Sequence, residues 1–234
     1  MKVAEFDIEV EHKSIKNVHL TVYPPDGRVR IAVPTSMSDD EVSMLLYSKL
    51  DWLRNKYKEV MMQERQTERK FVSGENHYLF GQRYLLKVHP VNTGGFVRLG
   101  RKYMEMGCRP DASLENKQQL MDDFYRGQLW TALNKMVDKW AERMEESPDT
   151  FTWTILLMQK QWGSCMTDKR KIMFNLLLAR VPMRCIEYVV VHELCHLKEH
   201  LHNKEFTRLI DTYMADWPLR KKELDEFVAL PYKE

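Results

Sequence analysis

Five consecutive residues, His192, Glu193, Leu194, Cys195 and His196, carry side chains that could do chemistry together. Two imidazoles four residues apart lie on one face of an α-helix, about one turn from each other. Both can therefore converge on a single Zn²⁺ at roughly 2.0–2.1 Å. On such a helix Glu193 is turned about 100° from His192, within reach of a water on the ion and under no compulsion to ligate it. The spacing predicts a metal clamp with a general base beside it.

That chemistry needs a helix, yet Val189, Val190 and Val191 form a β-branched run that would suit a strand. A strand would leave His192 and His196 about 13 Å apart, too far to share an ion. From Met183 to Leu197 the residues are apolar almost all round, which predicts a buried helix. A catalytic zinc ordinarily takes three protein ligands and keeps one position for water. If the helix ran on, His200 would sit another ~6 Å along the axis and could not close on the same ion. His202 is the better third ligand if the chain turns out of the helix between Lys198 and Leu201. In the metzincin pattern a Gly makes that turn; here Glu199 stands in its place, so another route is needed. The competing reading is a set of solvated or core-satisfied histidines.

The elements that must position these residues are patterned along the whole chain. Alternation at Val18, Leu20, Val22 and at Val29, Ile31, Val33, around Pro24-Pro25-Asp26-Gly27, predicts a β-hairpin. Ser38 and Glu41 form a capping box, and Val42, Leu45, Leu46, Leu53, Tyr57 and Val60 predict one amphipathic helix reaching about Gln63. Runs at Tyr78–Phe80, Tyr84–Val88, Phe96–Leu99 and Tyr103–Met106 predict a small antiparallel meander. The composition changes near Arg109-Pro110-Asp111. A long helix then follows, with Leu114, Leu120, Met121, Phe124, Tyr125, Trp130, Leu133, Met136, Val137, Trp140 and Met144 as its core stripe.

Phe151 to Met158 reads as a strand. Trp162-Gly163-Ser164-Cys165 and Ile172 to Asn175 read as a second hairpin around Thr167–Arg170, whose edge is a candidate for pairing with a substrate backbone. The alternative makes Trp162 plain core and Gly163 a bulge. After His202, Asn203 is a candidate N-cap, and Phe206, Leu209, Ile210, Tyr213 and Met214 give one apolar face. Pro218 suits the first turn of a last helix, with Leu224, Phe227 and Val228 inward.

Composition sets the outer bounds. The 234 residues are 44% apolar and 30% charged, as in ordinary globular proteins, and 36 basic against 34 acidic residues leave a net charge of only +2. Such a balance argues against strong dependence on nucleic acid or anionic membrane. Glu5, Asp7 and Glu9 interrupt the first apolar positions, which excludes a signal-peptide pattern, and no apolar run approaches 18 residues. Cys108, Cys165, Cys185 and Cys195 are scattered, as reduced thiols would be. The expectation is a cytoplasmic protein. Cys165 and Cys195 are read as small buried hydrophobes, with redox sensing or metal ligation as the alternative.

Several separated stretches together resemble one family, the YgjP-like metal-dependent hydrolases, relatives of the SprT-like and WLM zinc metallopeptidases. They are Val33-Pro34 with the helix bearing Trp52, Tyr78–Gly81 with Tyr84, Trp162-Gly163-Ser164-Cys165, Asn175, and Tyr188 to Leu197. The resemblance covers most of the chain. Its pattern after the helix, H-x-x-x-x-N-H-S with an aromatic soon after, implies His202 as third ligand. His200 and Leu201 depart from the usual Pro and Asn, Asn203 from Ser, and Gln161 from Arg.

The resemblance implies a zincin-like α+β fold. On this reading an N-terminal antiparallel hairpin and meander region with one helix occupies 1–110, and a helix-rich catalytic region with the buried H-E-x-x-H helix occupies 111–234, within one continuous domain. The function expected is hydrolysis of a peptide or protein substrate with one Zn²⁺ on His192, His196 and His202, and Glu193 as base. His200 or Tyr213 could assist at the transition state, and Trp162 and Ser164 could touch substrate. Two rival readings are a zinc-containing binding module in a DNA-linked complex, as the SprT-like relatives suggest, and a hydrolase of a non-peptide amide or ester.

Overall fold

Alternating burial builds the first sheet, from β1 (Lys2–Val3), β2 (Phe6–Lys13), β3 (His19–Tyr23) and β4 (Arg28–Pro34). Val3, Phe6, Ile8, Val22, Val29, Ile31 and Val33 turn inward onto Val42, Leu46 and Leu53. The computed structural model describes residues 1–23, 27–62, 69–159 and 161–227, with the side chains of 59–62 and 227 outside the description. By its internal contacts the chain divides into two units, Met1–Thr67 and Glu68–Leu230. The change of composition near Arg109 falls inside the second.

In the first unit β3 and β4 form the expected hairpin, Leu20 facing Ile31 and Val22 facing Val29. Its turn at 24–26 lies outside the described residues. The capping box is present, with Glu41 N–H on Ser38 Oγ and Ser38 N–H on Glu41 Oε2. The single helix expected here is two: α1 (Asp39–Ser48) and α2 (Leu50–Met62). At the break Lys49 caps α1, sharing its N–H between the Leu45 and Leu46 carbonyls, and the Ser48 hydroxyl also donates to the Leu45 carbonyl at 2.7 Å. The side chain of Val60 and the residue Gln63 lie outside the described set.

The second unit holds β5 (Asn76–Leu79), β6 (Gln82–Pro90), β7 (Phe96–Leu99) and β8 (Tyr103–Cys108), followed by the 30-residue helix α3 (Leu114–Arg143), which Ser113 caps. Next come β9 (Thr152–Leu156), β10 (Gly163–Met166), β11 (Lys171–Asn175) and a 3-10 turn over Leu176–Arg180. The chain then enters α4 (Met183–Cys195), α5 (Lys204–Tyr213) and α6 (Trp217–Phe227). With six helices and three sheets among the described residues, the fold is mixed α+β.

The antiparallel hairpin-and-meander expectation needs correction, because every sheet is mixed. Strand orders are β1-β2-β4-β3, β5-β6-β8-β7 and β10-β11-β9, with β2 parallel to β4, β6 to β8 and β9 to β11. Within the hairpins β3–β4 and β7–β8, the second strand is the more deeply buried. The more apolar strand takes the centre of the sheet and leaves its partner at the edge, which sets it parallel to the strand before the hairpin. Alternation reports which face of a strand is buried and is silent on which strand lies beside it.

In α3 the inward stripe is Met121, Tyr125, Leu129, Leu133, Val137, Trp140 and Ala141. Trp130, expected in that stripe, is 55% exposed and lies against Trp153 of β9 instead, with ring centroids 6.4 Å apart. Pro218 sits in the first turn of α6 and Leu224 is buried, while the Phe227 side chain and Val228 lie outside the description. Among the described residues no helix is long and apolar enough to cross a membrane.

Glu187 joins three helices. Its carboxylate accepts from Lys139 Nζ at 2.8 Å and Trp140 Nε1 at 3.0 Å on α3, and from an Arg220 guanidinium nitrogen at 2.7 Å on α6. Burial by itself would raise its pKa, but these three donors outweigh that and hold it at about 2. A depressed carboxylate pKa stabilises the fold above the unfolded value near 4.5, and that contribution drains away as the pH falls toward about 2. Glu187→Gln should therefore cost about 1.5–3 kcal/mol at pH 7. Melting curves of the two proteins should converge between about pH 4.5 and about pH 2; a gap that stays constant with pH would contradict the clamp.

Candidate metal centre

Helix α4 carries the H-E-x-x-H residues despite its three valines. Val189, Val190 and Val191 are at most 3% exposed, so the apolar area they bury outweighs the few tenths of a kcal/mol each loses in helix propensity. Pro182 precedes the first turn, where a missing N–H costs nothing.

The helix ends at Cys195 with His196 as its C-cap, and the chain reverses at once: Lys198 and Glu199 both donate backbone N–H to the Cys195 carbonyl. Glu199 makes the turn without a left-handed residue. Its carboxylate accepts the Leu201 N–H at 3.1 Å, and its backbone carbonyl lies 3.0 Å from His196 Nδ1. Asn203 then caps α5 through its side chain on Phe206 N–H at 3.0 Å. The reversal returns His202 to the helix it has just left.

Three nitrogen atoms meet there. His202 Nε2 is 3.0 Å from His192 Nε2 and 3.1 Å from His196 Nε2. A carbonyl oxygen only accepts, so His196 Nδ1 carries the ring proton and its Nε2 presents a lone pair to the meeting point. Burial first, then the neighbouring His196 and His202, push His192 down to about 3; burial likewise lowers His196. Both rings are therefore neutral at physiological pH, the state that binds a cation. His192 Nδ1 is buried and has no hydrogen-bond partner.

Three nitrogens on one tetrahedral ion at roughly 2.0–2.1 Å would stand about 3.3 Å from one another, close to the separations here. The residues fit a single divalent metal ion, and this is the set of three potential ligands that the described residues bring within 4.8 Å.

Glu193, on the next position of the same helix, is 4% exposed and one of its oxygens, Oε2, has no partner. Burial pushes its carboxyl up to about 8. A buried acid of that strength can accept and release a proton near neutral pH.

A family model described as YgjP-like, metallopeptidase domain, matches residues 16–227. The chain belongs to this family. No curated protein matches it in sequence. Membership in the YgjP-like metallopeptidase domain family makes the chain a metal-dependent hydrolase of the peptidase kind, and the triad is the place in it where a divalent metal fits.

The remaining candidates of this YgjP-like chain divide. His200 is exposed and its Nδ1 lies 3.3 Å from Thr167 Oγ1, which ties the turn after β10 to the loop that bears His202. Trp162 is half-buried and packs on the core, with its carbonyl accepting Asn175 N–H at 2.9 Å; Ser164 pairs with Met173 inside the hairpin. Tyr213 is half-buried against the core, and among the described residues no hydrogen bond or ring contact links it to the three imidazoles.

Two further contributors were not among the site residues expected from the sequence. Phe206 looked like one more apolar position of α5, yet its ring centroid is 4.9, 4.5 and 4.8 Å from those of His192, His196 and His202, a floor under all three. Asn175 is fully buried and saturated: Nδ2 donates to the Met158 and Gln161 carbonyls, and Oδ1 accepts Leu177 N–H, fixing the loop that leads into β10. Phe206→Ala should weaken zinc binding about tenfold or more while Phe206→Leu keeps most of it. Competition against a chromophoric chelator reads this, with melting curves reporting any loss of fold; equal affinities for all three proteins would remove Phe206 from the site.

Proposed function

We propose that this chain is a zincin-like zinc peptidase, with His192, His196 and His202 holding the ion and Glu193 serving as general base. The observation that carries the reading is the convergence of three Nε2 atoms at 3.0–3.1 Å beside a buried carboxylate with an unpartnered oxygen. A zinc ion bound there supplies Lewis acidity, activating a water and polarising the carbonyl under attack. Glu193 takes the proton of the attacking water and passes it to the leaving amine. Its burial serves the first half of this task, because a carboxylate in a site of low dielectric takes up a proton more strongly than one in water. The Glu199 carbonyl fixes the His196 tautomer, and Phe206 keeps the three rings from turning.

A peptide substrate is favoured by the edge of β10. Asn175 N–H donates to the Trp162 carbonyl, and the antiparallel register pairs Ser164 with Met173 and Met166 with Lys171. Hydrogen-bonded pairs alternate, so Trp162, Ser164 and Met166 are bonded to β11, and the N–H and C=O of Gly163 and Cys165 face outward. These four groups lie on the strand that packs against α4, and an extended peptide can pair with them as an added strand. His200, held by Thr167 beside the same strand, is the candidate second contact to the developing oxyanion.

A structural zinc site would close with a fourth ligand and would have no use for a buried carboxylate at Glu193. Glu193→Gln should lower hydrolysis of fluorescein-labelled casein by about 10²–10⁴-fold while one zinc per chain remains. In elemental analysis His202→Ala should retain well under half of that zinc. Full turnover by Glu193→Gln, or undiminished zinc in His202→Ala, would overturn the assignment of that residue.

A further inference from the structure

The Glu193 carboxylate is buried, and with Oε2 unpartnered it is not held in place by a full set of hydrogen bonds. On the β10 side its neighbour is Gly163. A Cβ added at Gly163 would stand 2.8 Å from both Cδ and Cγ of Glu193 and closer still to Oε1. Carbon atoms pack at about 3.5–4.0 Å, so such a methyl and the carboxylate cannot share the space. Gly163 is not among the glycines with positive φ, so its backbone asks for no special residue. What the position requires is the absence of a side chain.

We propose that Gly163 is a positioning residue for Glu193: the missing side chain leaves a slot between β10 and α4, and that slot fixes where the carboxylate lies. Its catalytic meaning rests on the general-base reading above; the slot itself does not. β10 is then both the strand whose outward groups can take a peptide and the wall that aims the base. Substrate backbone and proton acceptor are registered on one residue.

A double-mutant cycle tests the slot without any assay of turnover. In Gly163→Ala the overpacked methyl should lower the melting temperature by about 2–10 °C. In a Glu193→Ala background, where the carboxylate is gone, the same change should cost less than about a third as much. Gly127→Ala serves as control, since nothing lies within 4 Å of a Cβ there, and should not lower the melting temperature. An equal drop in both backgrounds, or no drop in the wild type, overturns the proposal.

Two further readings separate positioning from general stability. Zinc affinity of Gly163→Ala should stay within about threefold of wild type, while casein turnover falls at least about tenfold. If Glu193→Gln proved as active as wild type, the general-base reading would fall while the melting cycle still decided the slot.

Discussion

Three imidazole nitrogens can serve one cation only if their rings are kept from turning apart. In this protein they are held at 3.0–3.1 Å by everything around them. Helix α4 is buried nearly all round, so it cannot rotate to move His192 or His196 away. Glu199 reverses the chain, Asn203 starts the next helix, and Phe206 from that helix closes beneath the three rings. The apolar core around α4 thereby keeps three potential ligand atoms at one place.

Burial also decides the places of the strands. In two sheets the more deeply buried strand of a hairpin takes the centre and the other is left at the rim. In the third sheet β11 is central and β10 is left as an edge. An edge strand is ordinarily a hazard, because unpaired N–H and C=O groups invite other strands. β10 is four residues long, half-buried throughout, and packs on α4, which confines the invitation to one short stretch beside the triad. Arg126 covers the opposite rim of this sheet by donating to the Ile155 carbonyl of β9 at 2.6 Å.

Much of the fold could be read from pattern. The capping box at Ser38, the long α3, the hairpin of β10 and β11 and the Asn203 cap all follow from local chemistry, which acts over three or four residues and is written in consecutive positions. The parallel pairings were not legible, because alternation carries no information on neighbours. Trp130 misled because a large apolar residue at helical spacing can be satisfied by a surface stack on Trp153 as well as by the core.

At the site itself, the spacing of His192, Glu193 and His196 determined that two imidazoles and a carboxylate would share one end of a helix, since about 3.6 residues per turn leaves no other outcome. Sequence also placed His202 at a usable interval. Only the tertiary structure decided that it comes back, through a turn made by a glutamate where the metzincin pattern has a glycine. Only the packing of β10 on α4 decided that Gly163, on a strand well before the motif helix, would lie against Glu193. Contacts of that kind depend on which surfaces meet, and a linear pattern of residue types records each surface without recording its partner.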